Sequence, residues 1–585
     1  MDLMTGPLPQ VNWHTVSAWL GECDSGNGHK TSCRCDAQEL PVHGFRVMDT
    51  KRRCVVLLPV LRRYATLSYV WGNDQDSLRA TKTNVGLSAT INDAINACCH
   101  LQIPFLWVDR LCIVQDELSE KAIQLDAMGS IYSQSYVTLV AMAGEDAEYG
   151  LPGTDGWERP PQWTGEMQGI HLLKDIDQYT DLVANSKWRS RGWTFQEAML
   201  SSRLLIFTDH GAFYQCHGKS TVQAEEELSS CGEVVKEYTA RDLTHKSDII
   251  NAFSGILHSA YGDQHYYGFP FSRFHWALLW VPRDGKYPER CPHQPEMFPS
   301  WSWSSIDNAI DYWRGEEDTI SASLAQWAIP PSSDGRRKLK ILRNTFTEPH
   351  QNDEKSKLAR LAVLMAWKGG CFPGKLPRKL KASTWGKYDM FIRQRWQSLA
   401  CMCDEAQCMP GGLLSASDQE ARFPLHIQRA CLDGCILAYT QSQRLELKLS
   451  KNLGISLELH NAHGDMIAWS QGYYINREKL CSTPHWNNGA KFDVLALSMP
   501  YHVGHVGRFE PAGKYGRNAA NWHDIKWESI FTKVDDMPGP HIKVPMINLM
   551  VVETKDGISR RVALGQVALK IWIESKPKFQ TFILG

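Results

Sequence analysis

The sequence lacks any run of about 18 consecutive apolar residues, so no membrane-spanning helix is expected. Its opening, MDLMTGPLPQVNW, has neither the basic n-region nor the apolar h-region of a secretory signal. An excess of charge is missing too: 63 Lys and Arg stand against 64 Asp and Glu. That balance supplies no global field to draw the chain to nucleic acid or to anionic lipid. There is no G-x-S-x-G elbow, no G-x-x-x-x-G-K-[ST] loop and no H-E-x-x-H, which removes the motif basis for a housekeeping hydrolase. Internal repeats and long low-complexity tracts are also absent. Seventeen cysteines, an odd number without a secretory signal, point to reduced thiols and a cytoplasmic protein.

What is present is size and tryptophan. At 585 residues the chain is too long for one core, and two or three domains are expected. Twenty-two tryptophans suggest several aromatic clusters and shallow pockets. Residues 1–60 read as a lead-in with Cys23, His29, Cys33 and Cys35, then a hairpin with Lys51-Arg52-Arg53 near its turn. The spacing C-x5-H-x3-C-x-C is not a standard zinc pattern, and packing is the favoured reading of these residues.

Residues 61–220 alternate. YATLSYV (64–70), FLWVD (105–109) and YVTLVAMA (136–143) read as short buried strands. LSATINDAINACCHL (87–101) and the face Leu118, Ala122, Leu125, Met128, Tyr132 read as helices between them, the second capped by Asp116. RLLIF (203–207) and GAFYQC (211–216) read as neighbouring strands four and five, after a Gly-, Pro- and Trp-containing loop over about 144–185. Strand–helix alternation predicts a parallel α/β sheet. A helical, aromatic-rich extension is expected over 221–330, a polar connection over 331–424, and a β-rich domain over 425–585.

Three segments carry a resemblance. Tyr64-Ala65-Thr66-Leu67-Ser68-Tyr69-Val70-Trp71-Gly72 is followed by Trp107-Val108-Asp109-Arg110-Leu111-Cys112-Ile113-Val114-Gln115, with Glu120 and Gln124 beyond it. The third is Arg191-Gly192-Trp193-Thr194-Phe195-Gln196-Glu197-Ala198-Met199-Leu200-Ser201-Ser202-Arg203. In order and separation they resemble the heterokaryon incompatibility (HET) domain of filamentous fungi, whose motifs read Y-x-x-L-S-Y-x-W-G, W-[IV]-D-x-x-C-I-N-Q and R-x-W-T-x-Q-E-x-x-L-S-x-R. Val114 departs from the family's usual Asn. SDxxNAFSG (247–255), FPSWSW (298–303) and RRVALG (560–565) also resemble segments of such chains. The HET domain is similar in turn to TIR domains, and this implies a TIR-like (flavodoxin-like) parallel sheet.

The resemblance implies a role in triggering cell death in non-self recognition. In NAD-cleaving TIR domains the helix after the third strand carries W-x-x-x-E, whose Glu is catalytic; Trp193 and Glu197 share that spacing and place. Cleaving the nicotinamide–ribose bond passes through an oxocarbenium-like ribose, which one carboxylate can stabilise, with no added cofactor. On this reading Glu197 is catalytic. Ser68, Tyr69, Trp71, Gly72 and Asp109 line the carboxyl edge of the sheet, Arg191 meets the pyrophosphate, and Trp193 packs on the sugar or a base. The competing reading makes Glu197 an ion-pair partner of Arg191, Arg203 or Arg110. Cys112 is expected to be a buried inert thiol. Two function classes follow: an effector with NAD as substrate, or a non-catalytic adaptor that self-associates or binds other incompatibility proteins.

Overall fold

A computed structural model describes residues 2–3, 10–26, 39–72, 87–155, 157–159, 164–167, 170–173, 179–216, 231–294, 297–312, 320–332, 338–342, 362–363, 365–367, 369–372, 420–450, 456–470, 489–500, 504–506 and 542–585. His29, Cys33, Cys35 and the Cys401–Cys408 group lie outside them. The chain divides into two units, up to Asp263 and from Gln264 onward.

The first unit is built on one sheet. Its strands are β1 (Asp2–Leu3), β2 (Arg46–Asp49), β3 (Cys54–Leu57), β4 (Tyr64–Ser68), β5 (Phe105–Trp107), β6 (Val137–Ala141), β9 (Arg203–Thr208) and β10 (Gly211–Cys216), while β7 (Thr164–Met167) and β8 (Ile170–Leu173) form a separate hairpin. The order across the sheet is β1-β10-β9-β6-β4-β5-β2-β3. The four central strands β9, β6, β4 and β5 are parallel, in the registers Leu139↔Leu205, Thr66↔Thr138 and Ala65↔Leu106. Counted along the chain among themselves they run 2-1-3-4, the order that begins a flavodoxin-like sheet. Every residue of β4, β6 and β9 is buried, as strands covered on both faces must be.

The sheet is not parallel throughout, as the alternation had suggested. β10 returns antiparallel on β9, Gly211 opposite Thr208, and the hairpin β2–β3 joins β5 antiparallel, Met48 opposite Leu106. For β9–β10 and β2–β3 the reason is length: a tight connection allows only a hairpin, whereas a parallel return needs a crossover of about a dozen residues.

Helices α1 (Trp13–Ser25), α2 (Ala89–His100), α3 (Asp109–Cys112), α4 (Leu118–Asp126), α5 (Met128–Ser133), α6 (Tyr179–Asn185), α7 (Lys187–Ser190), α8 (Gly192–Leu200), α9 (Cys231–Thr239) and α10 (Asn251–Tyr261) complete the unit. α2 buries Ile91, Ala94, Ile95 and Cys98, the face its spacing predicts. The single helix expected over 118–132 is broken at Ala127, and Asp116 does not cap it; the residue before α4 is Glu117, whose side chain makes no cap bond. The stretch 144–185 contains α6 and the β7–β8 hairpin.

α5, α8 and α10 meet closely. A Cβ on Gly255 would lie 2.8 Å from the Gly129 Cα and 2.8 Å from Gln196 Oε1, and Gly255 N–H donates to that same oxygen at 2.7 Å. Glycine is required at both crossing positions because backbone meets backbone.

In the second unit, a ten-stranded sheet confirms the β-rich C-terminal part. The pairings of Ile436–Ser450, Ser456–His460, Met466–Ser470, Ile558–Ala568, Met546–Lys555 and Lys491–Pro500 return to the first strand, closing a ring. Leu445, Leu459, Phe492, Val494, Leu549, Val551 and Trp572 share its core. The aromatic segments 267–280 and 298–313 lie in this unit, where Trp301 packs on Tyr266, Phe269 and Phe274. Buried Arg561 donates to Leu278 O at 3.0 Å and lies 4.1 Å from the Trp280 ring centroid. Among the described residues no helix is long and apolar enough to cross a membrane.

Candidate functional site

The chain leaves β4 toward β5 on one side, and leaves β6 toward β9 on the other. The sheet edge beyond Ser68 and Ala141 is therefore the topological switch point, the usual ligand position in such sheets. Gly72, at φ +84°, lets the segment after β4 approach the segment after β6, since a Cβ there would sit 2.7 Å from Asp146 Cβ.

Glu197 is delivered to this place by the α7–α8 corner. Ser186 caps α7 by accepting from Arg189 N–H at 3.1 Å, and Arg191 is extended, at φ −85° and ψ 139°. Thr194 Oγ1 donates to Trp188 O at 2.7 Å and Arg191 O at 2.8 Å, closing the corner. Gly192 N–H donates to Asp242 O at 2.7 Å, and a Cβ there would lie 2.5 Å from Leu243 Cδ2, so a larger residue would have to displace the Leu243 side chain. α8 thus turns Glu197 onto β4.

The carboxylate faces inward. Glu197 is 5% exposed and its Oε2 accepts from Ser68 Oγ, which itself accepts from Trp188 Nε1 at 2.7 Å. The Tyr132 hydroxyl donates to Leu67 O at 3.2 Å and lies beside the same carboxylate. Behind it, Ser201 Oγ donates to Glu197 O at 2.6 Å, Ser201 meets Thr138 Oγ1 at 2.5 Å, and Thr138 meets Thr66 Oγ1 at 2.7 Å. A chain of buried hydroxyls therefore ties α8 to β6 and β4.

Neither sequence expectation about Glu197 describes this arrangement. A carboxylate on the solvent side of a cleft is not seen, because α8 buries Thr194, Phe195, Gln196 and Glu197 against the sheet. An ion pair is not seen either. Arg203 goes to Asp24 at 2.9 Å, Arg191 Nη1 donates to Tyr69 O at 2.9 Å, and Arg110 lies over the Trp71 ring, 5.6 Å from its centroid. Glu197 is held by hydroxyls, so its charge is not cancelled.

Electrostatics follow from that. Burial, and then the charge of Asp109, push the Glu197 carboxyl up to about 7, against the Ser68 hydrogen bond and the Arg191 charge. Asp109 is pushed up to about 6, again chiefly by burial; the Arg110 N–H bond at 2.7 Å, the Arg191 charge and the Trp71 Nε1 bond at 3.0 Å oppose this. The charge of Asp109 thus bears on Glu197, and burial raises both carboxyl groups. Tyr69, 3% exposed, is raised well above the ordinary tyrosine value by burial and by the charges of Asp109 and Glu197, and its hydroxyl has no hydrogen-bond partner.

The predicted site residues are placed as follows. Ser68, Tyr69, Asp109, Arg191 and Glu197 form one interacting group, and Trp71 joins it through Asp109. Gly72 shapes the neighbouring turn. Trp193 is half-buried and bonds Asp248, in the SDxxNAFSG segment. Cys112 is buried, takes Val108 N–H on its sulfur at 3.4 Å, and burial pushes its thiol up to about 12. Glu120 pairs with Arg46, while Gln124 is buried with both amide atoms unpartnered. Cys23 receives the Tyr214 hydroxyl at 2.9 Å. Trp188, Tyr132, Thr138 and Ser201 were not named as site residues; Tyr132 carries only the core spacing of its helix, Ser201 is the serine of the third motif, and no pattern marks the other two.

Residues 64–197 match the family model for the heterokaryon incompatibility protein domain (HET), a span that runs from the first residue of β4 to Glu197 itself. Residues 64–197 are therefore a heterokaryon incompatibility domain within the chain, as the three motifs indicate. No curated protein and no solved structure matches it.

Proposed function

We propose that this chain is an effector of heterokaryon incompatibility whose HET domain cleaves the nicotinamide–ribose bond of NAD, with Glu197 as the residue facing the ribose. One observation carries the reading: a buried carboxylate at the switch point of the sheet, held by the Ser68 hydroxyl and paired with no cation. A structural carboxylate is ordinarily paired, because an unpaired buried charge costs several kcal/mol. An unpaired one is suited to stabilising positive charge that appears only during a reaction.

The chemistry asked of it is limited. Nicotinamide leaves with the bonding electron pair as a neutral base, so no general acid is needed. Ionised Glu197 stabilises the ribosyl cation, water adds to the anomeric carbon, and its proton is released; the products are nicotinamide and ADP-ribose. The TIR-like assignment and cell death as the outcome belong to this proposal. With the carboxyl raised to about 7, NAD cleavage should increase with pH through neutrality.

The near-complete burial of Glu197 favours the second reading, an adaptor that acts by self-association or by binding other incompatibility proteins. Expression of wild type and Glu197→Gln in a fungal host, with NAD and viability followed together, separates them. Parallel loss of NAD depletion and of killing supports the effector. Undiminished killing with an intact NAD pool supports the adaptor.

A further inference from the structure

We propose that the free edge of β3 docks an extended acidic segment of a partner protein, which joins the sheet of the first unit as one more strand. The sheet order ends at β3, so among the described residues no strand lies beyond it. Leu58 N–H donates to Phe45 O at 3.0 Å, which fixes how the hairpin's backbone groups point. These groups alternate along an antiparallel pair, so Cys54 and Val56 also face β2. Val55 and Leu57 therefore turn their N–H and C=O groups outward, to the open edge. Such an edge is a template for an added strand.

The side chains at this edge are apolar and reached by solvent. Val55 is 40% exposed and Leu57 61%. They share one face, because side chains alternate along a strand. Arg46, opposite Leu57 on β2, pairs with Glu120 of α4, and Ile123, 58% exposed, lies one turn further along that helix. Of the eight large apolar side chains exposed among the described residues, four are Val55, Leu57, Val60 and Ile123, so apolar exposure is concentrated here.

Charge selects the occupant. The whole chain is balanced, yet residues 46–63 carry six cations and one acid, Asp49. Asp49 Oδ1 is already taken by Lys51 N–H at 3.0 Å and Arg52 N–H at 2.9 Å. Lys51, Arg52 and Arg62 are exposed at the two ends of the edge, and among the described residues no carboxylate pairs with them. A second copy of the chain is a poor occupant. Antiparallel self-pairing about Val56 would bring Lys51 and Arg52 of each copy toward Arg62 of the other, and like charges across strands repel. A short apolar stretch with acidic residues at both ends matches the edge and its cations together. Pro59, which has no N–H, ends the run of strand donors and keeps the docked stretch short. The edge lies outside the Glu197 group, so this proposal stands or falls apart from the NAD reading.

The probe is a fluorescein-labelled synthetic peptide, Asp-Glu-Val-Thr-Val-Thr-Val-Asp-Glu, followed by fluorescence anisotropy with the full-length protein. Saturable binding that weakens as salt is raised is expected, and the same peptide with lysines in place of its acids should not bind. Val55→Pro removes an N–H that points away from β2, and edge strands accept proline, so the variant should melt as wild type does. It should bind the peptide about tenfold more weakly or worse, since it loses one strand bond and gains a ring at the edge. The double variant Arg52→Glu/Arg62→Glu changes only exposed side chains and should weaken binding about fivefold or more; it decides the matter if Val55→Pro does not fold. No binding by wild type, equal binding of the lysine peptide, or undiminished binding in either folded variant overturns the proposal. If the protein instead co-sediments with phosphatidylserine vesicles and ignores the peptide, the patch serves a lipid surface and the added strand is wrong.

Discussion

Glu197 sets a measurable pH dependence on stability. Its carboxyl has an ordinary value of 4.5 and is raised to about 7 in the folded chain. Between these values the folded state binds more proton than the unfolded state, so this group makes stability fall as pH rises, and the loss is complete above the folded value. A rise of this size corresponds to roughly 3 kcal/mol at about 1.4 kcal/mol per pH unit. Glu197→Gln has no such proton. Chemical denaturation at several pH values should show the variant gaining on wild type as pH rises from about 4.5 to about 7. A difference that stays constant across that window would show a carboxyl with an ordinary environment. At this scale the motifs carry Ser68, Tyr69 and Asp109 to the strand ends, and the structure places Glu197 against Ser68. The sequence could not show which way the carboxylate faces, since that depends on the Thr194 corner and on Trp188.

At the scale of elements, α8 is positioned twice, by the hydroxyl chain from Ser201 through Thr138 to Thr66 and by its crossing with α5 and α10. The crossing makes a prediction that runs against helix propensity. Alanine is about 1 kcal/mol better than glycine inside a helix. Yet a Cβ on Gly255 would meet backbone at 2.8 Å, and overpacking of this kind costs about 1–3 kcal/mol. Gly255→Ala should therefore lower the denaturation midpoint; a higher midpoint would mean that the helices are not in backbone contact. The hydroxyl chain predicts that Thr138→Val, similar in shape, destabilises by about 1–3 kcal/mol through the stranded hydroxyl of Thr66 and the break between Ser201 and β6. The core strands were legible because their apolar runs are continuous. The antiparallel flanks were not, because pairing direction is set by connection geometry, which apolar spacing does not encode. The break at Ala127 was missed for a similar reason: the apolar spacing continues through both helices.

At the scale of the molecule, the division at Asp263 and Gln264 separates two cores, one on the mixed sheet and one inside the closed strand ring. Each has its own hydrophobic core, as an independent folding unit requires. A fragment of residues 1–263 should give cooperative unfolding and native-like near-UV circular dichroism without the rest of the chain. A fragment that is soluble only as a molten species would show that the first unit depends on the second. The β-rich character of the C-terminal part was readable from its alternating strands, whereas the closure of its ring depends on pairings between strands far apart in sequence.

The account turns on whether Glu197 acts on a ribose, and NAD consumption by purified full-length protein at high concentration tests this most directly. Wild type should release nicotinamide and ADP-ribose, faster at pH 8 than at pH 6, and folded Glu197→Gln should release neither. Equal NAD loss in both proteins, or none in either at any protein concentration, would contradict it.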